Sequence, residues 1–171
     1  VSGFTASKLH RILRIGGTRV YSVFVETGTY QAKTSLMARS LFPVVHTIER
    51  SEVLWRDANT RYGGDGIHFH HGDSRTVLPT LAKSIREPAV FYLDAHWFDV
   101  PHAAGQSDPL PLWAELDALA RRRYPDIVIV DDVLSFGAFP GWENVTLTRI
   151  ANRLTRYRKS RIMADQAVVW R

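Results

Sequence analysis

Five short runs of β-branched and aromatic residues recur along the chain at 20–25 (VYSVFV), 44–48 (VVHTI), 67–70 (IHFH), 89–93 (AVFYL) and 127–130 (IVIV). Runs of four to six apolar residues with little polar alternation are strands buried on both faces, and helices must then cover both sides of the sheet. Amphipathic patterns fill the intervals: 31–41 with Ala32, Leu36, Ala38 and Leu41, 52–62 with Val53, Leu54, Ala58 and Tyr62, 74–86, 111–123 with Leu112, Leu116 and Leu119, and 143–157. Pro79 suits a first helical turn, so the pattern at 74–86 predicts a helix running from 79 to 85. A short helix at 6–14 is stopped by Gly16-Gly17, and the chain closes on two strands, 160–164 and 167–170. Alternation of this kind predicts an α/β, Rossmann-like doubly wound sheet, mostly parallel with an antiparallel strand near the C-terminus. No repeat or linker interrupts it, so residues 1–171 read as one domain, with 1–17 as an N-terminal helix and turn.

Composition narrows the setting. The 171 residues contain no cysteine, which excludes disulfides and thiolate metal sites. Neither a membrane-length apolar run nor a signal-peptide pattern is present, so the expectation is a cytoplasmic protein with no membrane partner. The net charge of +5 admits nucleic acid as a partner. The excess is partly local, in the run Arg121-Arg122-Arg123 and in Arg149, Arg153, Arg156, Arg158, Lys159 and Arg161 toward the end, where the first three fall at i, i+4, i+7 spacing. Those three read first as a solvated helix face and otherwise as a basic platform for RNA.

In open α/β sheets, ligands bind outside the carboxyl ends of the strands. All five ends carry an acid here: Glu26 in VETGTY, Glu49, Asp73 in GDS, Asp94 in DAHW, and the pair Asp131-Asp132. Glu49 lies 21 residues beyond Gly28, the distance at which nucleotide-binding domains place a carboxylate on ribose hydroxyls. The turn after the first strand has a single glycine followed by Thr29, Tyr30 and Gln31, which makes a poor cradle for a pyrophosphate. An adenosyl cofactor without phosphate, such as S-adenosylmethionine, suits it better.

With FVETGTY, VVHTIER, HFHHGDS, VFYLDAHW and IVIVDDV in this order and spacing, the chain from about Val20 to Arg171 resembles the class I S-adenosylmethionine-dependent methyltransferases. The resemblance implies that Glu26, Thr27, Gly28 and Thr29 line the methionine end of the cofactor and that Glu49 holds the ribose. Asp73 with Ser74 would lie by the adenine. The first motif departs from the family's, which has two or three glycines and a small residue where Tyr30 stands.

Strands four and five should be neighbours about 4.8 Å apart, so Asp94, Asp131 and Asp132 should converge beside the transferable methyl. Three close carboxylates repel unless a cation joins them, and oxygen ligands favour Mg²⁺. An aspartate after strand four with paired aspartates after strand five is similar to the metal-dependent, macrocin-type sugar O-methyltransferases, which implies Asp94, Asp131 and Asp132 as metal ligands. The alternative is that Asp94 contacts cofactor alone and that Asp131 or Asp132 caps the next segment. Asp94 and His96, two residues apart, are the candidate catalytic pair, with His96 as general base, metal ligand or structural histidine. His68, His70 and His71 tempt a zinc reading, but packed strand histidines account for them more simply. The expected activity is methyl transfer to a small-molecule hydroxyl, of a sugar or natural product. The alternatives are an RNA methyltransferase using the basic surface and a non-catalytic cofactor- or partner-binding module.

Overall fold

Every apolar run becomes a strand and every amphipathic run a helix in the computed structural model, which describes residues 4–95, 110–138 and 141–171. Chain order is α1 (Ala6–Leu13), β1 (Val23–Thr27), α2 (Lys33–Arg39), β2 (Val44–Glu49), α3 (Glu52–Tyr62), β3 (Ile67–His71), α4 (Ser74–Ser84) and β4 (Ala89–Leu93). It continues with α5 (Leu112–Ala120), β5 (Ile127–Val130), α6 (Leu147–Arg153), β6 (Lys159–Met163) and β7 (Gln166–Trp170). The seven strands lie in the order β3-β2-β1-β4-β5-β7-β6, with β7 antiparallel to both of its neighbours. The order reverses between β1 and β4, the point at which open α/β sheets bind ligands outside the carboxyl ends of their strands.

Alternate strand residues feed two cores. Val25, Phe91, Leu93 and Val128 pack with Leu78 of α4 and Leu116 and Leu119 of α5. Phe24, Val90, Tyr92 and Ile129 pack on the other face with Leu9 and Ile12 of α1 and with Phe42. The exposed side chains of β6, Lys159 and Arg161 among them, blunt that free edge against pairing with other chains. Among the described residues no helix is long and apolar enough to cross a membrane.

Several local expectations shift. β1 begins at Val23 rather than Val20, which is 82% exposed, and this brings Glu26 and Thr27 into the strand. α4 starts at Ser74, not Pro79: Asp73 caps it by accepting from the Arg75 amide, and the proline is carried inside the helix. In α2 the buried face is Ser35 and Ala38, while Leu36 turns outward, and in α3 Val53 is exposed. The basic helix at 143–157 contracts to Leu147–Arg153, capped by the Thr146 hydroxyl.

Arg122, in the middle of the basic run 121–123, is 6% exposed. Its guanidinium meets both oxygens of the fully buried Asp126 (Nε–Oδ2 2.8 Å, Nη2–Oδ1 2.9 Å) and donates to the carbonyls of Ala82, Ile85 and Glu87. Asp126 also accepts from the Ala89 amide and the Tyr157 hydroxyl, so one ion pair joins the end of α4 and the starts of β4 and β5 to the segment after α6. Truncating one member leaves a buried charge unpaired. Arg122→Ala should therefore lower the free energy of unfolding by about 3–5 kcal/mol, read from urea denaturation; a loss below 1 kcal/mol would contradict the assignment.

Candidate active site at the carboxyl rim

Strand register lines the candidate residues up in one row. Thr27 pairs with Ile48 on one side and Leu93 on the other, and Leu93 pairs with Val130. One residue further on, the ladder still holds: the Gly28 amide donates to the Ile48 carbonyl (2.9 Å), Asp94 to Thr27 (3.1 Å) and Asp131 to Leu93 (3.1 Å). Glu49, Gly28, Asp94 and Asp131 therefore stand side by side across four strands, spaced by the strand separation of about 4.8 Å. Residues scattered over a hundred positions of sequence open onto a single rim.

Gly28 has φ +86, and a Cβ there would lie 2.6 Å from the Asp94 carbonyl oxygen. Close contact between the β1 turn and the end of β4 thus demands glycine, independently of any ligand. The following turn carries Tyr30 (φ 46) and Ala32 (φ 59) in the left-handed region, and Asp132 (φ 57) repeats this after β5. Non-glycine residues in that region cost free energy and persist where the surroundings hold them. Glu49 holds the first of these: its Oε2 accepts from the Tyr30 amide (2.9 Å), and its Oε1 accepts from the Ser51 amide (2.8 Å). One lone-pair site on each oxygen is left, and a ribose diol could use both.

Glu26 is 1% exposed, beneath the turn. Ser35 and Thr47 donate their hydroxyls to its Oε2, the second at 2.8 Å, and Thr47 also meets Thr29 at 2.6 Å. Burial nevertheless pushes the carboxyl up to about 7. Sequence periodicity did not single out Ser35, since apolar pattern alone assigns no buried role to a serine.

At β4 and β5 the Tyr92 hydroxyl donates to Asp131, which also accepts from Gln166 Nε2 at 2.8 Å. Burial, then the charges of Asp131, Glu26 and Asp132, raise Asp94 to about 9. Asp94, Asp131 and Asp132 line a recess together with Leu110, Glu115 and Trp142. Glu115 escaped the sequence reading because it lies in the middle of an apolar helix pattern rather than at a strand end. It is 1% exposed, and burial pushes its carboxyl up to about 7, against hydroxyl contacts from Ser74 and Thr27.

Other expectations fare differently. Asp73 spends its carboxylate on Arg75 (Nε–Oδ1 3.0 Å, Nη2–Oδ2 2.7 Å), and this pairing holds its pKa down; Ser74 is buried beside it. His96 lies outside the described residues. Among the described residues, Asp94, Asp131 and Asp132 included, no group of three or more His, Asp or Glu side chains is arranged to hold a metal. Asp131 is turned to neutral donors. His68 and His70 join the half-buried His46 in a packed cluster, with His46 Nδ1 3.0 Å from His70 Nε2 and the His46 and His68 rings stacked at 4.9 Å. His71 stacks on Trp55.

No family model and no curated protein sequence matches the chain. Solved structures do. The O-methyltransferase TomG of Streptomyces achromogenes, involved in tomaymycin synthesis and solved with S-adenosylmethionine, matches at TM-score 0.62 and 20% identity over 98% of this chain and 80% of its own. SMU.1697c of Streptococcus mutans, in complex with S-adenosylhomocysteine, matches at TM-score 0.59 and 9% identity, with full coverage of both chains. CalS10 of Micromonospora echinaspora, an amino pentose methyltransferase of calicheamicin biosynthesis solved with S-adenosylmethionine, matches at TM-score 0.52 and 15% identity over 76% of this chain. The chain spans about half the length of CalS10, 51%. The protein has the fold of the class I S-adenosylmethionine-dependent methyltransferases.

Glu26 generates a pH dependence of known sign. Folded, it keeps its proton to about pH 7, whereas the unfolded group releases it near 4.5. The folded state binds the extra proton across that window, so stability is greatest below it and falls as pH rises through 7. Glu26→Gln should flatten this slope and raise the stability of the ligand-free protein above pH 7 by on the order of 2–3 kcal/mol. Melting curves from pH 4 to 9 check it; an unchanged slope would place the glutamate elsewhere.

Proposed function

We propose that this chain transfers a methyl group from S-adenosylmethionine to a small-molecule acceptor seated over the ends of β4 and β5. The observation that carries the reading is the row of Glu49, Gly28, Asp94 and Asp131 along one rim, with Glu26 buried beneath it. Buried carboxylates ranged at strand ends repel a nucleotide's phosphates and attract a ligand that is itself cationic. An adenosyl ligand with an ammonium and a sulfonium fits this donor set. When bound, it supplies an electrophilic methyl group.

The protein's own residues divide the remaining work. Glu49 offers its two free lone-pair sites to the ribose hydroxyls. Glu26 answers the ammonium, and the surroundings of Ser74 receive the adenine. Asp94 faces the reacting centre, where its raised pKa falls once positive charge arrives beside it. Holding acceptor and donor in line contributes much of the acceleration in a transfer of this type.

The hydroxyl acceptor expected from the sequence drew on activation by His96 or by a bound cation. His96 lies outside the described residues, and no group of three or more His, Asp or Glu side chains among them is arranged to hold a metal. An RNA platform at α6 has less behind it: Arg153 is paired with Asp117 at 2.5 and 2.6 Å, and Arg149 lies over the Trp113 ring.

Calorimetric titration with S-adenosylhomocysteine tests the reading. Saturable binding is expected, and Glu49→Ala should weaken it at least about tenfold, since it removes charge-assisted acceptors and frees the strained turn. Absence of binding at high protein concentration would favour a non-catalytic module of the same fold.

A further inference from the structure

The rim holds more acid than an adenosyl ligand uses. Glu26 and Glu49 serve the β1 and β2 side, while Asp94, Asp131, Asp132 and Glu115 gather around the recess at β4 and β5. No lysine or arginine lines that recess among the described residues. Glu115 forms part of its wall, 1% exposed, and its Oε1 has no hydrogen-bond partner among the described residues. An orphaned oxygen on a buried carboxylate is rare in native proteins and calls for a missing donor. Leu110 and Trp142 supply apolar walls beside it, the setting in which an ion pair is screened least.

Three kinds of donor could fill the place. A metal would need a converging ligand set, which the described residues lack. A neutral hydroxyl would answer the oxygen but leave the charge. An ammonium brings up to three N–H donors and a positive charge together.

Building on the methyl-transfer reading, we propose that this recess is the acceptor subsite and that the acceptor is a primary or secondary amine, its ammonium held by Glu115 and Asp131. The amine enters protonated and passes one proton to the Glu115 carboxylate. The freed lone pair attacks the methyl carbon, a C–N bond forms, and the S–C bond breaks with its electron pair staying on sulfur. The product is an N-methylammonium that keeps the positive charge, and the proton on Glu115 returns to solvent as the product leaves. Burial, which draws the Glu115 carboxyl up to about 7, makes it a better proton acceptor than an exposed glutamate.

The test uses the intact protein saturated with S-adenosylhomocysteine and matched probes: glucosamine against glucose, and propylamine against propanol, titrated by calorimetry. Each amine should bind at least about tenfold more tightly than its hydroxyl partner. Glu115→Gln, which keeps the shape and removes the charge, should weaken amine binding by a similar factor and leave S-adenosylhomocysteine affinity unchanged. Asp131→Asn serves as the second variant should the first not fold. Equal binding of hydroxyl partners, no amine binding at millimolar concentration, or a Glu115→Gln protein with impaired S-adenosylhomocysteine binding would each overturn the proposal, the last by moving Glu115 into the cofactor site. Failure of the unaltered protein to bind S-adenosylhomocysteine is a separate result, seen before any amine is added, and it overturns the methyl-transfer reading itself.

Discussion

Backbone hydrogen bonding that outlasts the strands by one residue is the constraint on which the candidate site depends. The amides of Gly28, Asp94 and Asp131 each continue the parallel ladder past the last strand residue, so three loops leave the sheet in register. The approach is so close at Gly28 that any side chain there would strike the Asp94 carbonyl. That contact sets the spacing of the carboxylates and directs the turns that follow. Three of the five non-glycine residues with positive φ among the described residues, Tyr30, Ala32 and Asp132, lie in the turns leaving β1 and β5. Strain concentrated where elements converge on a ligand site is a recurrent feature of functional surfaces.

Electrostatics works against the fold at this rim. Glu26, Asp94 and Glu115 are all driven upward from the ordinary carboxylate range, in each case chiefly by burial. Hydroxyls from Ser35, Thr47, Tyr92, Ser74 and Thr27 soften the cost. The opposite end of the sheet is handled differently. There the fully buried Asp126 has Arg122 against both oxygens, an amide and a phenol as further donors, and the whole arrangement ties four segments together. One molecule thus contains a buried acid that an arginine compensates and, in Glu26 and Glu115, two whose side-chain contacts among the described residues come from hydroxyls. Both lie toward the carboxyl side of the sheet, where ligands bind in open α/β folds and where perturbed carboxyls cluster at functional sites.

The comparison with TomG, SMU.1697c and CalS10 reaches the fold and stops there, at identities of 20%, 9% and 15%. Sites on a shared fold differ in chemistry. The case for an amine acceptor accordingly rests on the recess: its charge, the orphaned Glu115 oxygen and the absence of a lining cation among the described residues.

Local pattern carried a great deal. Periodicities of two and 3.6 residues, with an acid closing each strand, were enough to read the alternating elements, the doubly wound sheet, the antiparallel strand near the end, and the rim positions Glu26, Glu49, Asp94 and Asp131, because these properties are written in contiguous residues. Pattern could not say that Arg122 turns inward to Asp126 while Arg121 stays exposed, that Ser35 replaces Leu36 on the buried face of α2, or that Glu115 reaches the recess from within an apolar helix. Nor could it tell that Asp131 would turn to Tyr92 and Gln166. Those outcomes depend on helix phase and on partners distant in sequence, so they were decided only when the sheet brought strands, helices and turns into contact.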